Sequence, residues 1–171
     1  MKQWCCPHRG ARGTLNRHGP LWGKGFGATR ERVRRGHRVF CSNRARRRGC
    51  GRTWGVYLGE TLPRHGVGAR LLSGVLEALL SGVSVKAAVE SLREALVPET
   101  FYHLLRRLRS RSVELRVLLK RQTGPPECDC DDPFLQTLAH LKAAFVAAAP
   151  GGARACMCSW FQVRFQTPLF G

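Results

Sequence analysis

Apolar residues in the first sixty positions form short clusters that are separated by glycine and arginine. The clusters at residues 14–15, 38–40 and 53–58 are too short for amphipathic helices, and they predict short β-strands. Between these clusters, glycines predict turns or the arm of a hairpin, at Gly19, Gly23, Gly25, Gly27 and Gly36. No stretch of this region has the apolar content to build a core unaided, and a bound metal is the usual remedy in so small a module.

From Leu62 onward the apolar pattern becomes helical. A first helix ends at Ser81 and Gly82, and its broad apolar stripe comprises Val67, Leu71, Leu72, Val75, Leu76, Leu79 and Leu80. Ser84 is a good N-cap for a second, short helix over residues 85–93. A third helix begins at Pro98, a suitable first-turn residue, and its apolar face comprises Phe101, Leu104, Leu105 and Leu108.

The remainder of the chain predicts two more helical segments and a tail. Residues 110–122 either extend the third helix or pack behind it, and a Gly-Pro-Pro sequence then marks a linker. A further helix is predicted over residues 133–148, capped by Asp131 or Asp132. Residues 160–170 alternate bulky apolar and polar side chains, which predicts a strand or an extended tail.

The charge of the chain indicates which class of partner it binds. The chain has 29 Lys and Arg against 11 Asp and Glu, a net charge of +18, which makes a phosphate polymer the natural partner. Residues 1–60 carry 15 basic and 2 acidic side chains, residues 61–121 carry 11 and 5, and residues 122–171 carry 3 and 4. The positive charge therefore belongs to the first two thirds. Arg greatly outnumbers Lys, which suits bidentate phosphate and guanine contacts.

The basic region contains five candidate metal ligands, which are Cys5, Cys6, His8, Cys41 and Cys50. Structural zinc takes four N or S donors, and two separated knuckles let one ion hold distant hairpins together. The Cys-Pro-His-Arg sequence at residues 6–9 has arginine where a second thiolate is usual, so Cys5 or His8 is the candidate for the missing ligand. Eight residues separate Cys41 from Cys50, and they predict a protruding basic loop. Structural zinc is the predicted cofactor.

Four more cysteines lie in the last third of the chain. Cys128 and Cys130 form one pair with a one-residue spacing, and Cys156 and Cys158 form another. Together they are either a second metal site that joins the linker to the tail, or thiols that are unligated or serve as caps. Because the chain has no apolar signal-peptide core and no segment of about 18 unbroken apolar residues, we expect a cytosolic protein with no membrane contact. Disulfides are not expected in that compartment.

The second and third helices are candidates for a helix-turn-helix. On the third helix, the face opposite the apolar residues carries side chains suited to a major groove, namely Thr100, Tyr102, His103, Arg106 and Arg107. The loop between Cys41 and Cys50 carries four arginines that, together with Arg52 just after it, supply further contacts to the DNA backbone or minor groove, namely Arg44, Arg46, Arg47 and Arg48.

These patterns predict an α+β protein with three parts. Residues 1–60 form a small zinc-ribbon-like β module, residues 61–122 form a mainly α helix-turn-helix bundle, and residues 123–171 form a linker, a C-terminal helix and an extended tail. The combination of Cys6-Pro7, the Cys-Gly-Arg-Thr-Trp sequence at residues 50–54 and a helix-turn-helix resembles the N-terminal region of bacterial insertion-sequence transposases and their small accessory proteins. The resemblance covers roughly residues 5–110 and implies recognition of element-end DNA.

Catalysis is not expected from the sequence. Two-metal transposases need three carboxylates from separated elements, whereas all three aspartates here lie within residues 129–132. A nucleophile at Tyr102 could not converge on one phosphate with its neighbours on the same helix. We therefore expect a sequence-specific reader of double-stranded DNA, associated with the nucleoid, and a separate transposase or recombinase that supplies catalysis. The alternative is an adaptor that binds RNA or other nucleic acid without specificity while its C-terminal region contacts a protein partner.

Overall fold

The computed structural model describes residues 4–25, 31–44, 48–92, 98–148 and 155–170. In this part of the chain, three antiparallel strands precede six helices, which confirms the α+β class. The strands are β1 (Leu15–Lys24), β2 (Arg32–Cys41) and β3 (Thr53–Tyr57). The helices are α1 (Ala69–Leu80), α2 (Val85–Glu90), α3 (Pro98–Ser110), α4 (Ser112–Leu119), α5 (Pro133–Ala148) and α6 (Met157–Phe165).

The described residues form two compact units, with the boundary between Leu58 and Gly59. We call residues up to Leu58 the β unit and residues from Gly59 onward the helical unit. The three strands lie in the β unit, and the six helices lie in the helical unit. Among the described helices, none combines the length and apolar character needed to cross a membrane.

The β unit is a three-stranded sheet in the order β1-β2-β3. Its first two strands have ten residues each, longer than the short clusters predicted, because glycine does not end them. Gly19 and Gly23 lie inside β1, and Gly36 lies inside β2, so these three glycines belong to the arms of the β1–β2 hairpin and not to turns, the other alternative that we predicted. A Cβ at position 36 would lie 2.1 Å from the carbonyl oxygen of Val56, so glycine lets β2 and β3 approach. Gly27 lies outside the described residues.

The apolar core of the β unit is small, as predicted. It comprises the buried residues Cys6, Leu15, Val39 and Cys41, with Ala11, Cys50, Trp54 and Val56 packed against them. Three of these eight residues are cysteines, so the thiol groups form a large share of the core. Burial of so few apolar groups contributes little against the entropy of ordering the chain.

The helical unit has one continuous core to which all six helices contribute. Ser84 caps α2 as predicted, since its hydroxyl accepts a hydrogen bond from the Ala87 N–H at 3.3 Å. The third helix begins at Pro98 as predicted. Residues 110–122 do not extend that helix, because the chain breaks at Arg111 and starts the separate helix α4. Segments from both 61–122 and 123–171 line the same core.

The bounds predicted for α5 agree with the structure, and Asp132 provides its cap by accepting a hydrogen bond from the Phe134 N–H at 2.8 Å. The tail prediction was wrong, because residues 157–165 form a helix and not a strand or an extended segment. This helix starts with a capping box in which the Ser159 N–H donates to the Cys156 Sγ and the Cys156 N–H donates to the Ser159 hydroxyl. Residues 157–161 are all buried. This part of the helix has no exposed polar face, and without one its sequence does not show the period of 3.6 residues by which a helix is predicted.

Candidate metal centre and nucleic-acid interface

Three cysteines of the β unit come together in space. The Sγ atoms of Cys6, Cys41 and Cys50 all lie within 4.8 Å of one another, and Cys6 and Cys50 are separated by 3.7 Å. Sulfur atoms on a tetrahedral ion with bonds of about 2.3 Å would be about 3.8 Å apart. Cys6 and Cys41 are buried, and Cys50 is partly buried. The three thiols could therefore hold one metal ion.

Cys6 is positioned by a tight turn at the start of the chain. Its carbonyl oxygen accepts a hydrogen bond from the Gly10 N–H at 2.7 Å, and its own N–H donates to the Ala11 carbonyl at 2.9 Å. Gly10 has a φ of +65°, a left-handed conformation that glycine adopts without strain. The turn returns the chain across Cys6 and leaves Pro7 and His8 in solvent.

The other two cysteines are brought together by a second closed loop. The Gly51 N–H donates to the Cys41 carbonyl at 2.9 Å, and the Cys50 N–H donates to the Cys41 Sγ at 3.3 Å. Glycine is required at position 49, because a Cβ there would lie 1.9 Å from the Ser42 carbonyl oxygen. Gly51 adopts a φ of +73°. These contacts bring Cys41 and Cys50 together although eight residues separate them.

Hydrogen bonds around Cys41 favour its thiolate form. Burial alone would raise its pKa, but hydrogen bonds with the Thr14 hydroxyl and the Cys50 N–H hold the pKa below its ordinary value. The Thr14 Oγ1 lies 3.1 Å from the Cys41 Sγ. Burial raises the pKa of Cys50. Thr14 was missed by sequence reasoning, because a lone threonine at the start of a strand carries no ligand signal.

The structure does not bring Cys5 or His8 into this cluster. Both side chains are exposed, and the described residues provide no fourth His, Cys, Asp or Glu to the group of three. Cys5 pairs with Arg12 in an isolated antiparallel bridge, and adjacent residues of an extended segment point in opposite directions. Because the side chain of Cys6 points into the core, the side chain of Cys5 points into solvent.

The four later cysteines do not form a second metal group among the described residues. Cys128 is exposed, and the Cys130 Sγ lies 3.6 Å from the Asp132 carbonyl oxygen, next to the cap of α5. Cys156 caps α6, whereas Cys158 is fully buried, and this burial raises its pKa. The second pair is therefore used in capping and packing.

The predicted recognition helix, α3, has clearly separated faces. Its buried residues are Phe101, Leu104, Leu105 and Leu108. Its predicted DNA-contacting residues are exposed, apart from the half-buried Thr100, and comprise Tyr102, His103, Arg106 and Arg107. Arg107 also contacts the Nε2 of His65 at 3.3 Å. Helix α1 contacts α2, and α2 contacts α3, but seven residues separate α2 from α3, which is longer than a tight helix-turn-helix turn.

The arginines of the cysteine loop are placed only in part. Arg44, Arg48 and Arg52 are exposed, whereas Arg46 and Arg47 lie outside the described residues. The Arg52 carbonyl accepts a hydrogen bond from the Cys41 N–H at 2.9 Å, so this arginine is anchored beside the three cysteines. Its guanidinium group thus extends into solvent from a fixed backbone.

The chain matches no protein-family model, no curated protein and no solved structure. We therefore infer function from the cysteine cluster, the third helix and the distribution of charge.

Proposed function

We propose that this protein is a non-catalytic, sequence-specific DNA-binding protein that docks α3 in the major groove. The observation that carries the proposal is the division of α3 between two faces. Phe101 and Leu108 are fully buried and anchor the helix in its own core. His103, Arg106 and Arg107 extend from the opposite side. An anchored helix with imidazole and guanidinium groups in solvent has the donors that read guanine edges and phosphates.

We propose zinc as the ion of the cysteine cluster, in a structural role. Thiolates are the ligands that structural zinc prefers, and the spacing of the three sulfur atoms suits three of the four positions of a tetrahedral site. The ion would join the turn after Cys6 to the loop between Cys41 and Cys50, two segments that are distant in sequence. This link would supply the stability that the small core of the β unit lacks.

The basic β unit is proposed to contact the DNA backbone. Arg44, Arg48 and Arg52 are exposed near the end of β2 and the start of β3, where they are available for phosphate contacts. The resemblance of this region to insertion-sequence transposases supports a role at the ends of a mobile element. Catalysis would then come from a separate transposase or recombinase, and the protein would act in the cytoplasm at the nucleoid.

The carboxylates of the helical unit support a non-catalytic role. Asp132 caps α5 and accepts a hydrogen bond from Arg109 at 3.0 Å, so it serves the fold. Glu114 pairs with Arg111 at 2.8 Å, and Glu90 pairs with Lys86 on the surface of α2. These acids are engaged in local pairs and caps, in contrast to the converging carboxylates of a two-metal nuclease.

The test substitutes the α3 face one residue at a time. We expect His103→Ala and Arg106→Ala each to reduce discrimination between a selected duplex and a scrambled duplex by about 1–3 kcal/mol, because each removes one base contact. Fluorescence anisotropy at fixed salt measures both affinities. The matched control is Arg121→Ala, an exposed arginine beyond α4, which should leave the ratio of the two affinities unchanged. Equal losses on both duplexes would contradict the groove assignment and favour the nonspecific adaptor.

A further inference from the structure

The β1–β2 hairpin brings two arginines to one histidine. The Nη2 atom of Arg17 lies 3.3 Å from the Nε2 of His37, and the Nη2 atom of Arg34 also contacts this Nε2, with the Nδ1 of the same ring 3.1 Å away. Both arginines are exposed, and His37 is partly exposed. We call these three residues the hairpin cluster. It lies on the strands, apart from the arginine loop between Cys41 and Cys50.

An irregularity of the sheet creates this cluster. Arg34 and His37 are three positions apart, so in a regular strand their side chains would point to opposite faces. The register shifts where Leu21 pairs with Gly36 and Trp22 pairs with Arg34, which leaves one additional residue in β2. Such a bulge changes the direction of the neighbouring side chains. The contact between Arg34 and His37 is the result.

The hairpin cluster collects positive charge that the protein does not neutralise. Among the described residues, no carboxylate forms an ion pair with Arg17 or Arg34, and the hydrogen bonds of their guanidinium groups go to His37. Residues 1–58 contain a single acidic residue, Glu31. Partial burial and the two neighbouring guanidinium groups lower the pKa of His37, which favours the neutral imidazole. The two guanidinium groups repel each other unless an anion joins them.

A phosphate group fits this arrangement. Two guanidinium groups from neighbouring strands can each donate two parallel hydrogen bonds to its oxygens, which is stronger and more directional than contact with lysine. The cluster is open and lies on an exposed ribbon, so it can contact a phosphate that belongs to a polymer. Contacts of this kind fix the register of a protein on duplex DNA without reading bases.

We propose that the hairpin cluster binds a phosphodiester group of the DNA backbone and forms a second DNA contact, separate from α3. This assignment rests on the proposed function for the identity of the polymer. The cluster contributes affinity without sequence preference, whereas α3 contributes the preference. Loss of the cluster should therefore weaken binding to every duplex by the same factor.

The test compares two double substitutions in the full chain. Arg17→Gln/Arg34→Gln removes both guanidinium groups of the cluster, and Arg12→Gln/Arg38→Gln removes the same charge from exposed arginines of the same unit. Binding to an arbitrary duplex is measured at several salt concentrations. We expect the cluster variant to lower the slope of log affinity on log salt by about 0.9, the value for one lost phosphate contact. We expect less than half of that change in the control variant, and equal changes would overturn the proposal.

A second measurement uses the unmodified protein, so it does not depend on the folding of a variant. The ring signals of His37 are identified by their loss in His37→Gln and are followed by NMR during titration with a short duplex. We expect these signals to shift in proportion to bound DNA. Ring signals that stay unchanged at saturation, or that shift with inorganic phosphate and not with DNA, would overturn the proposal.

The two proposals fail in different ways. If the protein discriminates between sequences but its two double variants lose the same salt slope, the α3 proposal stands and the hairpin-cluster proposal fails. If the protein does not discriminate between sequences and only the cluster variant loses salt slope, the hairpin-cluster proposal stands and the α3 proposal fails. Both quantities come from the same anisotropy titrations.

Discussion

Replacing Cys41 with serine is expected to abolish zinc binding and to unfold the β unit. Cys41 is fully buried, and its sulfur accepts the Cys50 N–H while its backbone joins β2 to the loop that returns at Arg52. Structural zinc in small domains contributes about 10–16 kcal/mol of apparent binding free energy at neutral pH, most of which is folding free energy. The apolar core of the β unit contains too few residues to compensate for that loss.

The experiment measures metal content by mass spectrometry of the purified chain and folding by amide NMR. In Cys41→Ser we expect no retained zinc and collapsed dispersion for residues of the β unit, with the amides of the helical unit in place. Cys5→Ser is the matched control, because this neighbouring thiol is exposed and outside the cluster. It should bind one ion per chain. Retained zinc in Cys41→Ser, or its loss in Cys5→Ser, would contradict the ligand assignment.

The second large effect is expected in the helical unit. Phe101→Ala should lower the free energy of unfolding by about 3–5 kcal/mol, because a large, fully buried ring leaves a cavity that the core fills only partly. The neighbouring Tyr102 is 51% exposed, so Tyr102→Ala should change the free energy by about 0.5 kcal/mol or less. Both residues are aromatic members of the same helix turn, which makes the pair a matched comparison.

Urea denaturation followed by circular dichroism at the helix band measures both variants. A difference between the variants places the ring of Phe101 inside the core and the proposed DNA-binding face of α3 outside it. Similar losses in the two variants would contradict the orientation of α3, and the groove assignment would fail with it.

Helices with one apolar face could be predicted from the sequence, and helices without one could not. The period of 3.6 residues and the cap at Ser84 locate α1 to α3, and Asp132 marks the start of α5. Helix α6 is buried on most sides, so its bulky residues imitate the alternation of a strand. The lengths of β1 and β2 could not be predicted either. Glycine is needed at position 36 because a Cβ there would collide with the carbonyl oxygen of Val56 on β3, and the local sequence does not reveal this contact.

The candidate site, too, could be predicted from the sequence only in part. The cysteine knuckles let the sequence predict a group of five candidate metal ligands, because thiols at paired turns are a pattern of local sequence, and the structure brings three of them together, Cys6, Cys41 and Cys50. The sequence left Cys5 or His8 as the candidate for the missing ligand, and the structure leaves both exposed, because the turn closed by Gly10 buries Cys6 instead. The hairpin cluster depends on a bulge, and register shifts have no signature in the spacing of arginine and histidine.

Selection of bound sequences from a randomised duplex library, at near-physiological salt, tests the central proposal most directly. We expect the intact protein to enrich a short motif, Arg106→Ala to lose part of it, and Arg17→Gln/Arg34→Gln to enrich the same motif with a lower yield. Half-site spacing within the motif would report dimerisation. Retention of duplexes without enrichment of any motif would contradict a sequence-specific reader and leave only electrostatic attraction to the backbone.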